Sequence, residues 1–443
     1  MPLKKICGEG VAILGFGRSG HAVADFLLPR GICPTVYVPS VPDDVAEYVA
    51  RGLKFCVGEF PSHFRQRLLV RSPGIRPDLP SLLHSLAAGA QLTSEAELFL
   101  SLTKATVIGV TGSDGKTTTA ALTAALLRGA RKCVFLGGNN GVPLLPRVDE
   151  MTGADVAVLE LSSFQLMTVA APPPFAVITN VTPNHLNWHL DMEEYFAAKC
   201  RIFDERSAFL MTNADQERTS ELAQRCSCPV GLFSSRGELP PAETALTADE
   251  KGIILCRNGV KTRHVLGDFH LPGRHNLENL MAALGVATAV LGAPPSLHSL
   301  ADFYGVPHRL QLVRSVHGVD YINSSIDTSP SRTVAALATM QRPTHVILGG
   351  RGKGVSFEIL KKALQRYAKT AFLYGEAAPE LADAIGDAIP VYRFEGFYDA
   401  ARAAIRNARA GETVLLSPAC TAFDQFRDFE ARGEAFARLV REI

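Results

Sequence analysis

The stretch of this chain most able to do chemistry is a glycine-rich turn that joins a predicted strand over 105–110 to a predicted helix opening at Lys116. Backbone N–H groups of such a turn and the positive end of the helix bind phosphate oxygens, the lysine reaches the outer phosphates, and the Thr117 hydroxyl holds Mg²⁺. We therefore predict a nucleoside triphosphate site; an ordinary strand–turn–helix junction is the alternative. The residues predicted to contact the nucleotide are Gly112, Ser113, Asp114, Gly115, Lys116, Thr117 and Thr118.

Two glycine patterns depart from the motifs they resemble. In the phosphate turn, the strict Walker spacing would place a glycine at Val110, whereas Gly109 comes one residue earlier. Near the N-terminus, Gly15-Phe-Gly17-Arg-Ser-Gly20 follows a predicted strand and has the spacing of the dinucleotide fingerprint. The second predicted strand ends at Val38 without the acid that would hold a ribose 2′-hydroxyl, so we predict that the chain does not bind NAD.

Three further side chains lie near the ends of predicted elements, where α/β folds place ligand-binding loops. Glu160 and His185 follow predicted strands at 155–159 and 175–179, and Lys199 ends a helical stretch. Composition alone leaves plainer alternatives open. These are a helix N-terminal carboxylate for Glu160, a capping or packing role for His185 and a solvated surface position for Lys199.

The order of short apolar strands and helical stretches predicts an α/β protein of three domains, each a mainly parallel sheet flanked by helices. The predicted domains cover residues 1–93, 94–293 and 294–443. A chain of 443 residues is longer than the roughly 250–300 residues at which single cores stop growing, and two domains are the alternative.

Charge balance, cysteine pattern and the length of apolar runs indicate which partners and which compartment to expect. Lysines and arginines number 45 against 44 acidic residues, without a block of like charge, so no nucleic-acid partner is expected. Nine cysteines form neither a disulfide framework nor a zinc pattern and are typical of a reducing cytoplasm. Because no apolar run approaches the roughly 18 residues of a spanning helix, we expect a cytoplasmic protein without membrane insertion.

Ten sequence blocks follow one another along the last three quarters of the chain. They are the phosphate turn, Gly-Gly-Asn at 137–139, Glu160-Leu-Ser-Ser-Phe-Gln-Leu166, Asn180-Val-Thr-Pro-Asn-His185, Ala-Ala-Lys at 197–199, Asn213-Ala-Asp215, Gly273-Arg-His-Asn276, Pro307-His-Arg309, Gly349-Gly-Arg-Gly-Lys353 and Leu416-Ser-Pro-Ala-Cys420. With these blocks the chain resembles the Mur ligases, which activate a carboxylate with ATP and join it to an amine. Within that family it is most similar to the branch that adds D-glutamate to UDP-N-acetylmuramoyl-L-alanine.

The resemblance implies the activity and the use of each domain. The first domain would bind the UDP part of the substrate, the central domain ATP, and the third domain D-glutamate, with ligation through an acyl phosphate in peptidoglycan precursor synthesis. Another Mur-type or folylpolyglutamate-type ligase, or a Mur-like nucleotide-binding protein without ligase activity, is the alternative. The protein is expected to act on small molecules as a monomer.

The resemblance also implies ATP, two Mg²⁺ sites and a Lys199 carbamylated by CO₂, which turns a cation into an anionic metal ligand. It assigns catalytic roles to Lys116, His185, Lys199 and Arg309, metal ligation to Thr117, Glu160, His185 and Lys199, and further nucleotide contacts to Asn276, Asn279 and Arg309. Taken singly, the two asparagines also fit a capped helix start and Arg309 a surface salt bridge.

The implied substrate-binding residues fall into two groups. Those for the UDP-linked substrate are Ser19, Ser72, Gly74, Asn139, Ser162 and Gln165, and those for D-glutamate are Thr328, Lys353, Ala422, Phe423 and Phe429. For Asn139, Ser162 and Gln165, helix caps or solvated loop positions are the alternative.

Three positions depart from the pattern of many relatives. Val38 lies where an acid usually meets the uracil, so Asp43 or a backbone group is expected to serve instead. Ser324 replaces an acid near the nucleotide, for which Asp327 could stand in. Ala422 replaces a serine, which removes one hydroxyl donor from the amino-acid site.

Overall fold

The computed structural model describes residues 10–443 apart from 140, 187, 238, 241, 268 and 272. The chain is an α/β protein built on three sheets, as predicted. It divides into two compact units, residues 1–303 with two of the sheets and residues 304–443 with the third. The boundaries at 93/94 and 293/294 stay predictions.

The first sheet is entirely parallel, in the order β3-β2-β1-β4-β5. Its central strand is buried along its length because it is an unbroken apolar run, which suits a strand covered on both faces. The elements are β1 (Val11–Leu14), α1 (Arg18–Leu27), β2 (Thr35–Val38), α2 (Val45–Ala50), β3 (Lys54–Val57), β4 (Leu68–Arg71), α3 (Pro80–Ala87), β5 (Gln91–Thr93) and α4 (Glu95–Leu102).

The second sheet has the order β14-β13-β12-β11-β10-β9-β6-β8-β7 and is parallel from β7 to β12. The last two strands extend it as antiparallel hairpins, which the sequence analysis did not predict. Its elements are β6 (Thr106–Thr111), α5 (Lys116–Gly129), β7 (Val134–Gly138), β8 (Val156–Glu160), α6 (Ser163–Leu166), β9 (Phe175–Ile178), α7 (Met192–Cys200), β10 (Phe209–Asn213), α8 (Glu217–Arg225), β11 (Val230–Ser234), β12 (Thr244–Asp249), β13 (Gly252–Arg257), β14 (Val260–His264) and α9 (Arg274–Leu291).

The third sheet has the order β15-β16-β20-β17-β18-β19, parallel except for the β15–β16 pair. Its elements are β15 (Gln311–Val316), β16 (Val319–Asn323), α10 (Pro330–Ala338), β17 (Thr344–Gly349), α11 (Ile359–Tyr367), β18 (Ala368–Tyr374), α12 (Ala378–Ile385), β19 (Val391–Phe394), α13 (Phe397–Asn407), β20 (Thr413–Ala419) and α14 (Phe429–Arg441). In the part of the chain that the structure describes, no helix combines the length and apolar character needed to cross a membrane.

Candidate active site

The predicted phosphate turn joins β6, between β9 and β8, to the first residue of α5. Gly115 precedes the helix with a φ of 79°, a left-handed conformation that glycine adopts without steric cost. A Cβ atom there would collide with Oδ1 of Asn279 on α9. The structure thus brings Asn279, predicted to contact the nucleotide, against the phosphate turn, and Oδ1 of Asn276 lies 3.4 Å from its Nδ2.

Lys116 folds back over the turn, where its Nζ donates to the carbonyl oxygens of Gly112 and Ser113, both at 2.8 Å. Ser113 is used within the protein, because its hydroxyl donates to the Thr182 carbonyl at 2.9 Å and its N–H to the Asn180 carbonyl at 2.9 Å. Lys116 therefore lies at the turn as predicted, whereas Ser113 mainly shapes the loop.

Gly109 lies in the interior of β6 rather than in the turn. A Cβ atom on it would come within 2.6 Å of Pro173 and 3.1 Å of Ile202, and Val110 beside it is fully buried. The departure from the Walker spacing therefore falls within a packed strand, while Gly112 and Gly115 keep the turn itself.

Glu160 ends β8 and is only 2% exposed. Its Oε1 accepts a hydrogen bond from Nδ2 of Asn139 at 2.8 Å, whereas its buried Oε2 has no partner among the described residues. A buried polar atom left without a partner costs about 1–3 kcal/mol, more for a charged group. This oxygen is therefore suited to a cation, and carboxylate oxygen is a ligand that Mg²⁺ prefers.

His185 lies in the loop after β9 with a φ of 56°. Its ring packs edge-on against Phe164, with 4.9 Å between the ring centroids. Loss of hydration lowers its pKa first, and the positive charges of Lys116 and Lys199 lower it further. The neutral imidazole that results is the form that binds metal ions.

Lys199, on α7, is 1% exposed, which excludes the surface alternative. Its Nζ donates to the Gly112 carbonyl at 2.7 Å and lies 4.6 Å from the centre of the Tyr195 ring. Burial, and then the charge of Lys116, hold the pKa of this amine well below its ordinary value. A buried amine with a lowered pKa therefore lies beside the phosphate turn.

Ser162 and Gln165, predicted to bind substrate, cap α6 instead of standing free. The N–H of Ser162 donates to Oε1 of Gln165 at 2.9 Å, and the N–H of Gln165 donates back to Oγ of Ser162 at 3.3 Å. This reciprocal pair matches the capping alternative. Their contact with substrate stays a prediction.

A cavity of about 700 Å³ opens at the carboxyl ends of the first sheet. Ser19 and Ser72, which are predicted to bind the UDP-linked substrate, line it, and Oγ of Ser72 donates to the Gly15 carbonyl at 3.2 Å. The full lining is Gly15, Gly17, Arg18, Ser19, Pro39, Gly58, Glu59, Phe60, Ser72, Pro73 and Ile75. The size suits a nucleotide-sized ligand.

Glu59, which follows β3 and lines this cavity, was not among the residues predicted from the sequence. Its carboxylate makes no hydrogen bond or ion pair with the rest of the described chain. Val38 is 3% exposed and Asp43, the expected substitute for the missing acid, is absent from the lining. The signal available was a carboxylate at the end of the neighbouring parallel strand.

Arg76 joins the first sheet's loops to the loop after His185, another feature that the sequence analysis missed. It donates to the Trp188 carbonyl at 2.7 Å and to Oε1 of Glu194 at 2.8 Å, while Trp188 Nε1 donates to the Gly74 carbonyl at 3.1 Å. The hydrogen bond from Arg76 is the main cause that holds the pKa of Glu194 at about 2. Gly74 therefore acts here as an anchor for Trp188.

In the second unit, a hydrogen bond joins Lys353 to Thr328, both of which are predicted to bind D-glutamate. Nζ of Lys353 donates to Oγ1 of Thr328 at 3.0 Å. Ala422 is buried, Phe423 is 61% exposed, and the carbonyl of Phe429 accepts the Ser325 hydroxyl at 2.8 Å. The carboxyl ends of β16, β17 and β20 are thus followed by Thr328, Lys353 and Ala422, which are predicted to bind D-glutamate.

Arg309 is exposed in a turn that Ser324 supports, since Oγ of Ser324 accepts the Leu310 N–H at 3.1 Å. Asp327 is 7% exposed, accepts a hydrogen bond from Ser417 at 2.8 Å, and has a pKa raised by burial. Its carboxylate is therefore engaged inside the unit, and its role as a substitute acid stays a prediction.

Three family models match the chain in order. They are the Mur ligase MurD-like N-terminal domain over residues 9–94, the Mur ligase middle domain over 110–287 and the Mur ligase glutamate ligase domain over 308–420. Proteins named UDP-N-acetylmuramoylalanine--D-glutamate ligase from Symbiobacterium thermophilum and Ruminiclostridium cellulolyticum are 38% and 36% identical. The alignments cover 98% of this chain and 98% of the first protein, and 99% and 98% for the second.

Solved structures share the fold at lower identity. The UDP-N-acetylmuramate-alanine ligase of Thermotoga maritima is 19% identical with a TM-score of 0.54, over 98% of this chain and 99% of its own. The MurF ligase of the same organism, in complex with ADP, is also 19% identical with a TM-score of 0.54, over 93% and 95%. These likenesses support the three-sheet α/β architecture.

Proposed function

The chain belongs to the Mur ligase family, and from that premise we propose that it uses ATP to join D-glutamate to UDP-N-acetylmuramoyl-L-alanine in peptidoglycan precursor synthesis. The observation that carries the proposal is the match over 98% of both chains to a protein named for this ligation. The alanine carboxylate attacks the γ-phosphorus of ATP to give an acyl phosphate and ADP. The amine of D-glutamate then displaces phosphate and loses a proton.

The chain's own groups divide this work. Lys116, now bonded to two carbonyls of the turn, turns its charge to the transferring phosphoryl group. The magnesium ions would be held by Glu160, Thr117 and His185 together with Lys199, and their charge would reduce the repulsion between the two reacting anions. The unpartnered Oε2 of Glu160 and the lowered pKa of His185 support this donor set.

Lys199 is proposed to be carbamylated. In its deprotonated form, the amine forms an N–C bond with CO₂ and releases a proton, which leaves an anionic carbamate on the side chain. Burial, the lowered pKa and the absence of any acidic side chain within ion-pairing distance among the described residues support this proposal. Carbon-13 NMR in ¹³CO₂-equilibrated buffer should show a carbamate signal that is missing from Lys199→Met.

The nucleoside end of the substrate is proposed to lie in the 700 Å³ cavity, with Glu59 accepting from N3–H of the uracil. The free carboxylate of Glu59 and the missing acid after β2 support this placement. Calorimetric titration should show UDP binding more tightly than CDP to wild type, because cytosine has no donor at N3. Glu59→Gln should reduce that preference; an unchanged ratio would remove Glu59 from the site.

A phosphate-release assay tests the whole proposal. Release should require ATP, UDP-N-acetylmuramoyl-L-alanine and D-glutamate together, with L-glutamate, glycine and L-lysine giving little. Preference for another amine would favour a different Mur-type ligase, and binding of ATP without turnover would favour a nucleotide-binding protein. The proposal also includes a cytoplasmic monomer, which light scattering and cell fractionation test.

A further inference from the structure

A fully buried guanidinium lies among the loops that carry the residues predicted to bind D-glutamate. Arg432, on α14, has no exposed surface and no acidic partner among the described residues. Its Nε donates to Oγ of Ser325 at 3.0 Å, and its Nη2 donates to the carbonyls of Ser325 at 3.0 Å and Cys420 at 3.1 Å. Its Nη1 donates to the Thr421 carbonyl at 3.1 Å and to the Tyr374 hydroxyl at 3.3 Å.

These acceptors belong to separate segments of the second unit. Ser325 precedes Thr328 after β16, and the carbonyls of Cys420 and Thr421 precede Ala422 after β20. A single rigid fork thus fixes two loops at once, which the planar guanidinium does better than a flexible ammonium.

The Ala422 amide belongs to the peptide whose carbonyl this fork holds. In a trans peptide the N–H points opposite to the preceding carbonyl, and the Thr421 carbonyl is held by both Arg432 and the Arg351 N–H, each at 3.1 Å. The N–H of Ala422 donates no hydrogen bond within the described chain, although this residue is 2% exposed. Buried N–H groups are nearly always paired, so this one points to a missing acceptor.

Taking the proposed function as its basis, we propose that Arg432 is a positioning residue that aims the Ala422 N–H at a carboxylate of the amino-acid substrate. The backbone donor thereby does part of the work of the serine hydroxyl that Ala422 lacks.

The test compares Michaelis constants for all three substrates. Arg432→Lys, which keeps the charge but loses the fork, should raise KM for D-glutamate at least tenfold and leave those for ATP and the UDP-linked substrate within twofold. Ser325→Ala, which removes the acceptor of Nε, should raise KM for D-glutamate severalfold with little change in melting temperature. Arg71→Lys is the matched control, a buried arginine of the first unit that also binds carbonyls and should leave KM for D-glutamate unchanged.

The outcomes separate this inference from the proposed function. Wild-type turnover with D-glutamate tests the function, and the ratio of variant to wild-type KM tests Arg432. Arg432 would have only a structural role if all three Michaelis constants rose in parallel. The same would follow if folded Arg432→Lys kept an unchanged KM for D-glutamate. If Arg432→Lys does not fold, Ser325→Ala decides, since an unchanged KM for D-glutamate there overturns the inference.

Discussion

Replacing Lys199 with methionine should separate catalysis from folding. The change removes the hydrogen bond to the Gly112 carbonyl, worth about 0.5–1.5 kcal/mol of folding free energy. It also removes a buried amine that has no acidic partner, which relieves a desolvation cost of about 1–3 kcal/mol. Because these two effects oppose each other and methionine fills a similar volume, the free energy of unfolding should change by less than about 2 kcal/mol.

Activity should respond very differently to the same change. Loss of an anionic metal ligand should cost several kcal/mol of transition-state stabilisation. A loss of about 4 kcal/mol lowers the rate roughly a thousandfold, since each 1.36 kcal/mol corresponds to a factor of ten. Phosphate release at saturating substrates measures the rate and thermal unfolding measures stability, with the exposed Lys104→Met as the control. Acetate should restore part of the activity of Lys199→Ala. A folded Lys199→Met that keeps a wild-type rate would show that Lys199 does not supply a metal ligand.

Substitutions of Lys116, Ala422 and Glu194 test separate parts of the protein. Lys116→Ala should lose phosphate release while keeping its melting temperature, and near-normal release would contradict the phosphate turn. Ala422→Ser should lower KM for D-glutamate and leave KM for ATP unchanged, because a hydroxyl donor is added to the backbone N–H. If the variant and wild type have the same KM for D-glutamate, the substrate carboxylate already has all its hydrogen-bond donors. Arg76 depresses the pKa of Glu194 to about 2, so this carboxylate contributes stability above its unfolded pKa of about 4.3. The stability gap between wild type and Glu194→Gln should therefore narrow as pH falls from about 4.3 towards 2, and chemical denaturation showing a constant gap would contradict the pairing.

Strands buried on both faces could be predicted from the sequence, because an apolar run is their signature. The strands predicted at 105–110 and 155–159 are found at Thr106–Thr111 and Val156–Glu160. The hairpin strand Val260–His264 was missed because its exposed, mostly polar residues carry no apolar period. Strands that only extend an edge are fixed by pairing with neighbours, which local sequence does not reveal.

In the candidate site too, features that are local in sequence could be predicted and contacts between distant residues could not. The phosphate turn is local in sequence, and its residues and glycines could be read directly. The contact of Arg76 with Glu194 spans 118 residues and that of Arg432 with Ser325 spans 107, so no spacing could indicate them. Ser162 and Gln165 show the reverse case, since the same short motif predicts a ligand contact and a helix cap equally well.

Gly109 imposes a joint constraint on residues that are far apart in sequence. Pro173 and Ile202 occupy the space that any side chain at 109 would need, and Ile202 comes three residues after Lys199. A combinatorial library varied at 109 should therefore return only glycine while Pro173 and Ile202 keep their size, and should accept alanine once both are made smaller. The tolerance at 109 is thus set by positions 173 and 202 together, and a substitution that is harmful alone becomes acceptable in the matching background.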